Sequence, residues 1–233
     1  MLSIPHLLQD ALHLFYPNCC QGCGSDLIFN NQLLCIRCLQ SLPHTRFAWF
    51  PDNPIEKIFT GRLNIAAAHS EFYFSKGQLI QELIHQLKYN HNKDIGIYLG
   101  EITGESLLQS GRFSGLDAII PLPMYPDKEY KRGYNQATII AEGISKSMNV
   151  PLMNKMVFRS RLTETQTKKH RADRWQNVEG SFNISNPSAL MGKKILLVDD
   201  VITTGATIEA CGQVINRLSG SAIYIATLAH ASK

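Results

Sequence analysis

Two rhythms of apolar positions alternate along this chain. Ile65 to Phe74 reads as a strand, and Leu79, Ile80, Leu83, Ile84 and Leu87 then recur at three- and four-residue steps, the stripe of an amphipathic helix. A second helix is predicted over Asp94 to Leu108. Ala118-Ile119-Ile120 is a short buried strand ending at Pro121-Leu122-Pro123, followed by a loop and a helix over Gln136 to Met148. Val157-Phe158 and Ser181 to Ile184 read as two further core strands flanking a polar stretch. Ile195-Leu196-Leu197-Val198 is an unbroken apolar run, the pattern of a parallel strand covered on both faces. A helix over Ala206 to Leu218 and a last strand over Ala222 to Leu228 complete the pattern. Strands alternating with helices predict an α/β fold with a parallel sheet and right-handed crossovers.

The first fifty residues break this pattern. Five of the six cysteines fall between Cys19 and Cys38, and Trp49 to Pro54 reads as the linker that closes the unit. The expected organisation is therefore a segment over residues 1–54 and an α/β domain over 55–233. Cys20-Gln21-Gly22-Cys23 and Cys35-Ile36-Arg37-Cys38 are two C-x-x-C pairs. Each places two thiolates in one turn, and four thiolates close a tetrahedral structural Zn²⁺ site. A redox pair or two disulfides are the competing readings. The start of the chain has no basic segment leading into an apolar one, so export is not expected, the cytoplasm is, and zinc is favoured over disulfides. Cys19 is a second candidate for the place of Cys20. Cys211 lies on the apolar face of its helix with Ile208, Ile215 and Leu218 and reads as core.

With 233 residues, 44% of them hydrophobic, the chain can bury a sizeable core. A formal charge of +4 is too mild to argue nucleic-acid binding from the total. No apolar run approaches the length of a membrane span.

The chemistry concentrates after the Ile195 strand. Asp199 and Asp200 emerge where open α/β sheets place their ligands. Val201-Ile202-Thr203-Thr204-Gly205-Ala206-Thr207 then turns into a helix, whose free N–H groups and dipole suit a phosphate, with Thr hydroxyls as extra donors. Two carboxylates beside a phosphate cradle suit a phosphorylated sugar. Strands ending in Asp-Asp also occur in receiver domains and beside the Mg²⁺ of NTPases, but neither needs Thr-Thr-Gly-x-Thr here. A second segment, running from Pro121 through Lys128, Lys131, Arg132 and Gly133 to Asn135 and Gln136, can hold a diphosphate with basic side chains and helix N–H groups. Its plainer reading is a basic surface loop. A third stretch, Thr163 to Asn177, is long, basic and poor in apolar residues, which suits a mobile lid that closes over an anion. Gln166, Lys168, Lys169, Arg171, Arg174 and Asn177 are its candidate contacts, and a solvated charged helix is the competing reading.

Taken together, the paired cysteines, Leu87-Lys88-Tyr89, Pro121-Leu122-Pro123, Lys131-Arg132-Gly133-Tyr134-Asn135-Gln136, Thr165-Gln166 and the Asp199-Asp200 segment resemble the ComF/GntX family over nearly the whole chain. The resemblance implies a type I phosphoribosyltransferase fold preceded by a small zinc ribbon, and phosphoribosyl pyrophosphate (PRPP) or a related nucleotide-like ligand. It implies Mg²⁺ travelling with PRPP, and transfer of the phosphoribosyl group to an acceptor that the family does not define. It further implies a role in competence, the uptake of single-stranded DNA, with DNA or competence proteins as partners. The alternative is a non-catalytic module that binds single-stranded DNA or a partner protein. Lys168-Lys169-His170 departs from the more apolar stretch expected before the arginines, and no general base or nucleobase hood can be named.

Overall fold

The computed structural model describes residues 19–26, 32–159 and 182–231. Its centre is the strand that contains Ile195 to Val198. This strand, Lys194–Ile202, is flanked by Ala118–Pro121 on one side and Ala222–His230 on the other, and Ala67–Tyr73 closes the far edge. Numbered along the chain, Ala67–Tyr73 is β1, Ala118–Pro121 β2, Val157–Arg159 β3, Phe182–Ile184 β4, Lys194–Ile202 β5 and Ala222–His230 β6. The main sheet runs β1-β6-β5-β2 and every neighbouring pair is parallel.

Alternation along β5 sorts its side chains onto two helical layers. The helices are α1 (Ile36–Ser41), α2 (Pro54–Phe59), α3 (Leu79–Tyr89), α4 (Lys93–Ser110), α5 (Pro126–Arg132), α6 (Gln136–Met148) and α7 (Ala206–Asn216). Leu196 and Val198 join Leu83 and Leu87 of α3, Leu99 of α4 and Ile140 of α6. Ile195 and Leu197 face the other way, onto Phe59 of α2 and Ile208, Cys211 and Ile215 of α7. A strand buried on both faces has no polar position to spare, which is why it reads as a continuous run. On the first face α4 and α6 approach closely through small residues. A Cβ on Gly143 would stand 2.1 Å from the Ile97 carbonyl, and one on Gly100 2.3 Å from that of Ile140.

Three expectations are corrected. β3 and β4 pair antiparallel with each other as a separate two-stranded ribbon and are not strands of the main sheet. Only Val157 and Phe182 are buried there, too little apolar surface for a two-sided strand. The predicted loop after β2 contains α5, a one-sided surface helix with no buried residue, begun by Pro126 and ended by Gly133 at φ 82°. The segment read as a linker is packed: Asn53 donates to the carbonyls of Phe47 (3.1 Å), Phe50 (3.0 Å) and Ala68 (2.9 Å), and its Oδ1 caps α2 by accepting from Ile55 and Glu56. The stretch from Thr163 to Asn177, with Gln166, Lys168, Lys169, Arg171, Arg174 and Asn177, lies outside the described residues. Among the described residues no helix is long and apolar enough to cross a membrane.

Candidate ligand site and metal centre

β5 delivers two carboxylates to the C-terminal edge of the sheet beside the end of β2. Asp199 Oδ1 accepts from the Asp200 N–H at 2.8 Å, and Asp200 Oδ1 from the Val201 N–H at 2.6 Å. Lys88, in the last turn of α3, places Nζ 2.5 Å from Asp200 Oδ2. Burial, with the adjacent charge of Asp200, pushes the Asp199 carboxyl up to about 7. The Asp200 N–H, Lys88 and Arg159 oppose that rise and do not cancel it. The pair is therefore asymmetric: Asp200 has a cation in contact, and Asp199 is the member that resists ionisation.

A cleft of about 200 Å³ opens over this pair, lined among others by Tyr125, Lys128, Arg132, Gln136, Arg159 and Thr207. Asp199 and Thr207 also line a smaller hollow of about 50 Å³ formed by Val201, Thr203, Thr204, Gly205 and Ala206 at the start of α7. The two recesses thus meet at Asp199 and Thr207. Gly205 is the N-cap of α7 at φ 72°, a left-handed conformation that costs glycine nothing. It is also pressed against α2, since a Cβ there would meet Ile58 Cγ2 at 2.8 Å and Phe59 Cε1 at 2.9 Å. Arg62, just beyond α2, donates to the Thr204 carbonyl at 3.0 Å and pairs with Glu209 in the first turn of α7. The turn is held from behind, while Thr203 and Thr204 face solvent.

The residues expected on the loop after β2 divide by role. Lys128 and Arg132 line the 200 Å³ cleft and Lys131 does not. Pro121 ends β2 opposite Val198, and Gly133 terminates α5. Asn135 also lines the cleft, but its side chain is committed, donating to the Leu122 carbonyl at 2.8 Å and accepting from the Ala137 N–H as the cap of α6. Gln136 is only 2% exposed, yet its Nε2 has no hydrogen-bond partner. A second orphan donor lines the same cleft: the Nε of Arg159 is buried without a partner, and its guanidinium lies 3.7 Å from the Tyr125 ring and 5.0 Å from that of Phe182. Burial lowers the Arg159 pKa. Lys88, Arg159 and Tyr125 were not singled out from sequence as site residues. Lys88 stands in the Leu87-Lys88-Tyr89 block at the end of an apolar stripe, where nothing local points to a carboxylate partner, and Arg159 follows a two-residue apolar pair with no signal of its own.

The four cysteines converge as their spacing predicts. The sulfurs of Cys20, Cys23, Cys35 and Cys38 lie within 4.8 Å of one another. Cys19 is exposed and lies outside the group, so Cys20 and not Cys19 joins the cluster. The Cys35 N–H donates to Cys20 Sγ at 3.2 Å. Burial disfavours the Cys20 thiolate, but N–H groups of Cys35, Cys23 and Gly22 outweigh it and bring its pKa down to about 6. Burial among the other sulfurs pushes the Cys38 thiol well up. Four sulfurs on two turns are the donor set of a structural metal site. The knuckle rests on α3: Gln86 donates to the Gln21 carbonyl at 2.9 Å, and Asn92 to Gln21 Oε1 at 2.8 Å. Cys211, by contrast, is fully buried under β5, and burial pushes its thiol up to about 12, as suits a core residue.

A family model described as phosphoribosyl transferase domain matches residues 132–233, which include α6, the carboxylate pair and the α7 turn. Competence protein F of Haemophilus influenzae is 34% identical over 116 residues, 49% of this chain and 51% of that protein. DNA utilization protein YhgH of Escherichia coli is 28% identical over 149 residues, 63% and 65% of the two chains. Competence protein ComFC of Bacillus subtilis is 37% identical over 92 residues, 39% and 35% of the two. This chain therefore spans between about a third and two thirds of the relatives it matches. Over its second half the chain is thus similar to the phosphoribosyl transferase domain, and over part of its length to these competence and DNA utilization proteins, with a knuckle of four cysteines ahead of that half.

Proposed function

We propose that this protein binds PRPP, or a related nucleotide-like ligand, across the two recesses that meet at Asp199. Asp199 and Asp200 accept hydrogen bonds from the ribose hydroxyls. Val201, Thr203, Thr204, Gly205, Ala206 and Thr207 surround the 5′-phosphate with backbone N–H groups, hydroxyls and the positive end of α7. Lys128 and Arg132 face the diphosphate, Lys131 and Gly133 shape the edge of that loop, and Pro121 and Asn135 hold its two ends. The observation that carries this reading is the chemistry around one cleft: two carboxylates on one wall, and two buried donors without partners, Gln136 Nε2 and Arg159 Nε, on the others. A ligand rich in both hydroxyls and phosphate oxygens completes both walls, and buried polar groups are ordinarily satisfied.

Among the described residues, Asp199 and Asp200 are the only carboxylates lining this cleft, so a divalent cation entering with the ligand finds oxygen donors there. Mg²⁺ on the diphosphate would neutralise the leaving oxygens. Transfer of the phosphoribosyl group to an acceptor is the reaction such a site suits, with the basic side chains offsetting negative charge as diphosphate departs. The knuckle of Cys20, Cys23, Cys35 and Cys38 holds structural zinc, whose four sulfur ligands leave no position for a substrate. We place residues 1–54 with this ribbon, residues 55–233 with the transferase-like domain, and the protein in the cytoplasm. The names of the relatives favour a role in DNA uptake. They equally suit a second reading, a non-catalytic module binding single-stranded DNA or a competence partner. Calorimetry with PRPP and Mg²⁺, followed by a screen for diphosphate release over nucleobases and ammonia, tests the first reading. Binding without turnover, together with DNA affinity that falls steeply with salt, selects the second.

A further inference from the structure

Arg62 ties the turn at the start of α7 to a part of the chain 142 residues away. It stands just beyond α2, and its backbone is fixed there. Its own N–H donates to the Phe59 carbonyl at 2.9 Å, and the Leu63 N–H donates to the same carbonyl at 3.0 Å. Leu63 is buried against α7, where a Cβ on Gly212 would stand 2.6 Å from its Cδ2. From this base Arg62 Nη1 donates to the carbonyls of Ile58 and Thr204, both at 3.0 Å, and Nη2 pairs with Glu209. The rigid fork of a guanidinium lets one side chain hold all three at once. The ion pair is partly exposed on both sides and contributes little by itself. The Thr204 contact is different: among the described residues no other side chain donates to a carbonyl of the turn from Thr203 to Thr207.

That contact sets the direction of a backbone donor. The peptide between Thr204 and Gly205 is trans, so its carbonyl and its N–H point to opposite sides. Arg62 lines a cavity of about 660 Å³ on the α2 side of the turn and does not line the 50 Å³ hollow formed by Val201 to Thr207. A carbonyl drawn toward Arg62 therefore turns the Gly205 N–H away from it, to the side of the hollow. Among the described residues that N–H has no backbone or side-chain acceptor. Glycine does not fix this orientation unaided, because it accepts φ of either sign and so lets the peptide ahead of it flip at small cost. A flipped peptide would present its carbonyl oxygen to the hollow and repel an anion there.

We propose that Arg62 is a positioning residue of the ligand site: by holding the Thr204 carbonyl from behind, it locks the Thr204–Gly205 peptide with its N–H facing an incoming phosphate. This rests on the reading of the hollow as the place of a 5′-phosphate. Arg62 acts through the backbone and does not touch the ligand.

The test is calorimetric titration of ribose 5-phosphate into the full chain, for the wild type, Arg62→Met and Glu209→Gln. Both variants break the ion pair between the α2 segment and α7, but only Arg62→Met frees the Thr204 carbonyl. The proposal expects Arg62→Met to weaken binding about tenfold or more, the size of one lost charge-assisted hydrogen bond. Glu209→Gln should bind nearly as the wild type does. An arginine that only joins the two elements would give equal losses in both variants, and that outcome, or unchanged affinity in Arg62→Met, overturns the proposal. Residual dipolar couplings of the Gly205 amide, measured without ligand, provide a separate readout. In the wild type the coupling should fit the frame defined by the amides of α4 and α6, as a single peptide orientation requires. In Arg62→Met it should depart from that frame while the α4 and α6 amides still fit. An averaged coupling in the wild type, or an unchanged one in Arg62→Met, overturns the proposal even if the wild type binds no sugar phosphate. Failure of the wild type to bind would instead count against the PRPP-type reading alone, and the couplings would still decide the role of Arg62.

Discussion

Replacing Gly205 by alanine separates two contributions that the phosphate turn combines. The residue sits at φ 72°, and a Cβ there would come within 2.8 Å of Ile58 and 2.9 Å of Phe59. The left-handed backbone costs a non-glycine residue about 1–2 kcal/mol. Forcing a methyl group into a packed contact costs about 1–3 kcal/mol more. Together these predict a loss of about 2–5 kcal/mol, a large share of the stability of an ordinary domain. Gly111 provides the control, because it caps α4 at φ 70° and a Cβ there meets nothing within 4 Å. Gly111→Ala should therefore show only the backbone cost, about 1–2 kcal/mol. Urea unfolding of both variants, compared at equal slope, reads the difference directly. Ribose 5-phosphate affinity should fall for Gly205→Ala and stay unchanged for Gly111→Ala. Equal destabilisation of the two variants, or retained affinity in Gly205→Ala, would refute the claim that α2 braces the turn.

Two further expectations concern the metal and the buried carboxylate. Cys38→Ser should reduce bound zinc from one equivalent to none by elemental analysis and loosen the contact of the knuckle with α3, seen as faster amide exchange over residues 79–92; retained zinc would discard the four-cysteine assignment. Asp199 titrates at about 7 in the folded chain against 3.8 as its ordinary value, so the native state binds the proton more tightly than the unfolded chain. Stability without ligand should fall as pH rises between those values and level off above, and Asp199→Asn should melt higher than wild type at pH 8 with little difference near pH 4. A variant no more stable than wild type at pH 8 would show that this carboxylate carries no such penalty.

What could be read from the sequence was local. The run Ile195 to Val198 and the turn after it needed no knowledge of the rest of the chain, because two-sided burial leaves a continuous apolar signature and the turn lies beside its strand. The cysteine pairs were equally legible, since each turn sets its own geometry. The misses have a common cause in long-range packing. α5 has no buried residue and therefore no periodicity to detect. β3 and β4 were visible as apolar fragments, but three residues do not reveal that they pair with each other and not with β5. Arg159 becomes a site residue only because Tyr125 and Phe182 fold against it. Lys88 becomes one because the core under α3 aims it at Asp200. The Trp49 to Pro54 stretch looked like a linker from its Pro and Asn content, yet its Asn53 is the polar anchor of α2.

The central claim is that the Asp199–Asp200 pair is where a phosphorylated ribose binds. Calorimetry with PRPP and Mg²⁺ on the wild type and on the Asp199→Asn, Asp200→Asn double variant tests it most directly. Each lost charge-assisted hydrogen bond is worth about 1.5–3 kcal/mol. The account therefore predicts saturable binding by the wild type, and a loss of about a hundredfold or more in a variant that still folds. Equal affinity in the two proteins, or a wild type that does not bind PRPP, would contradict it.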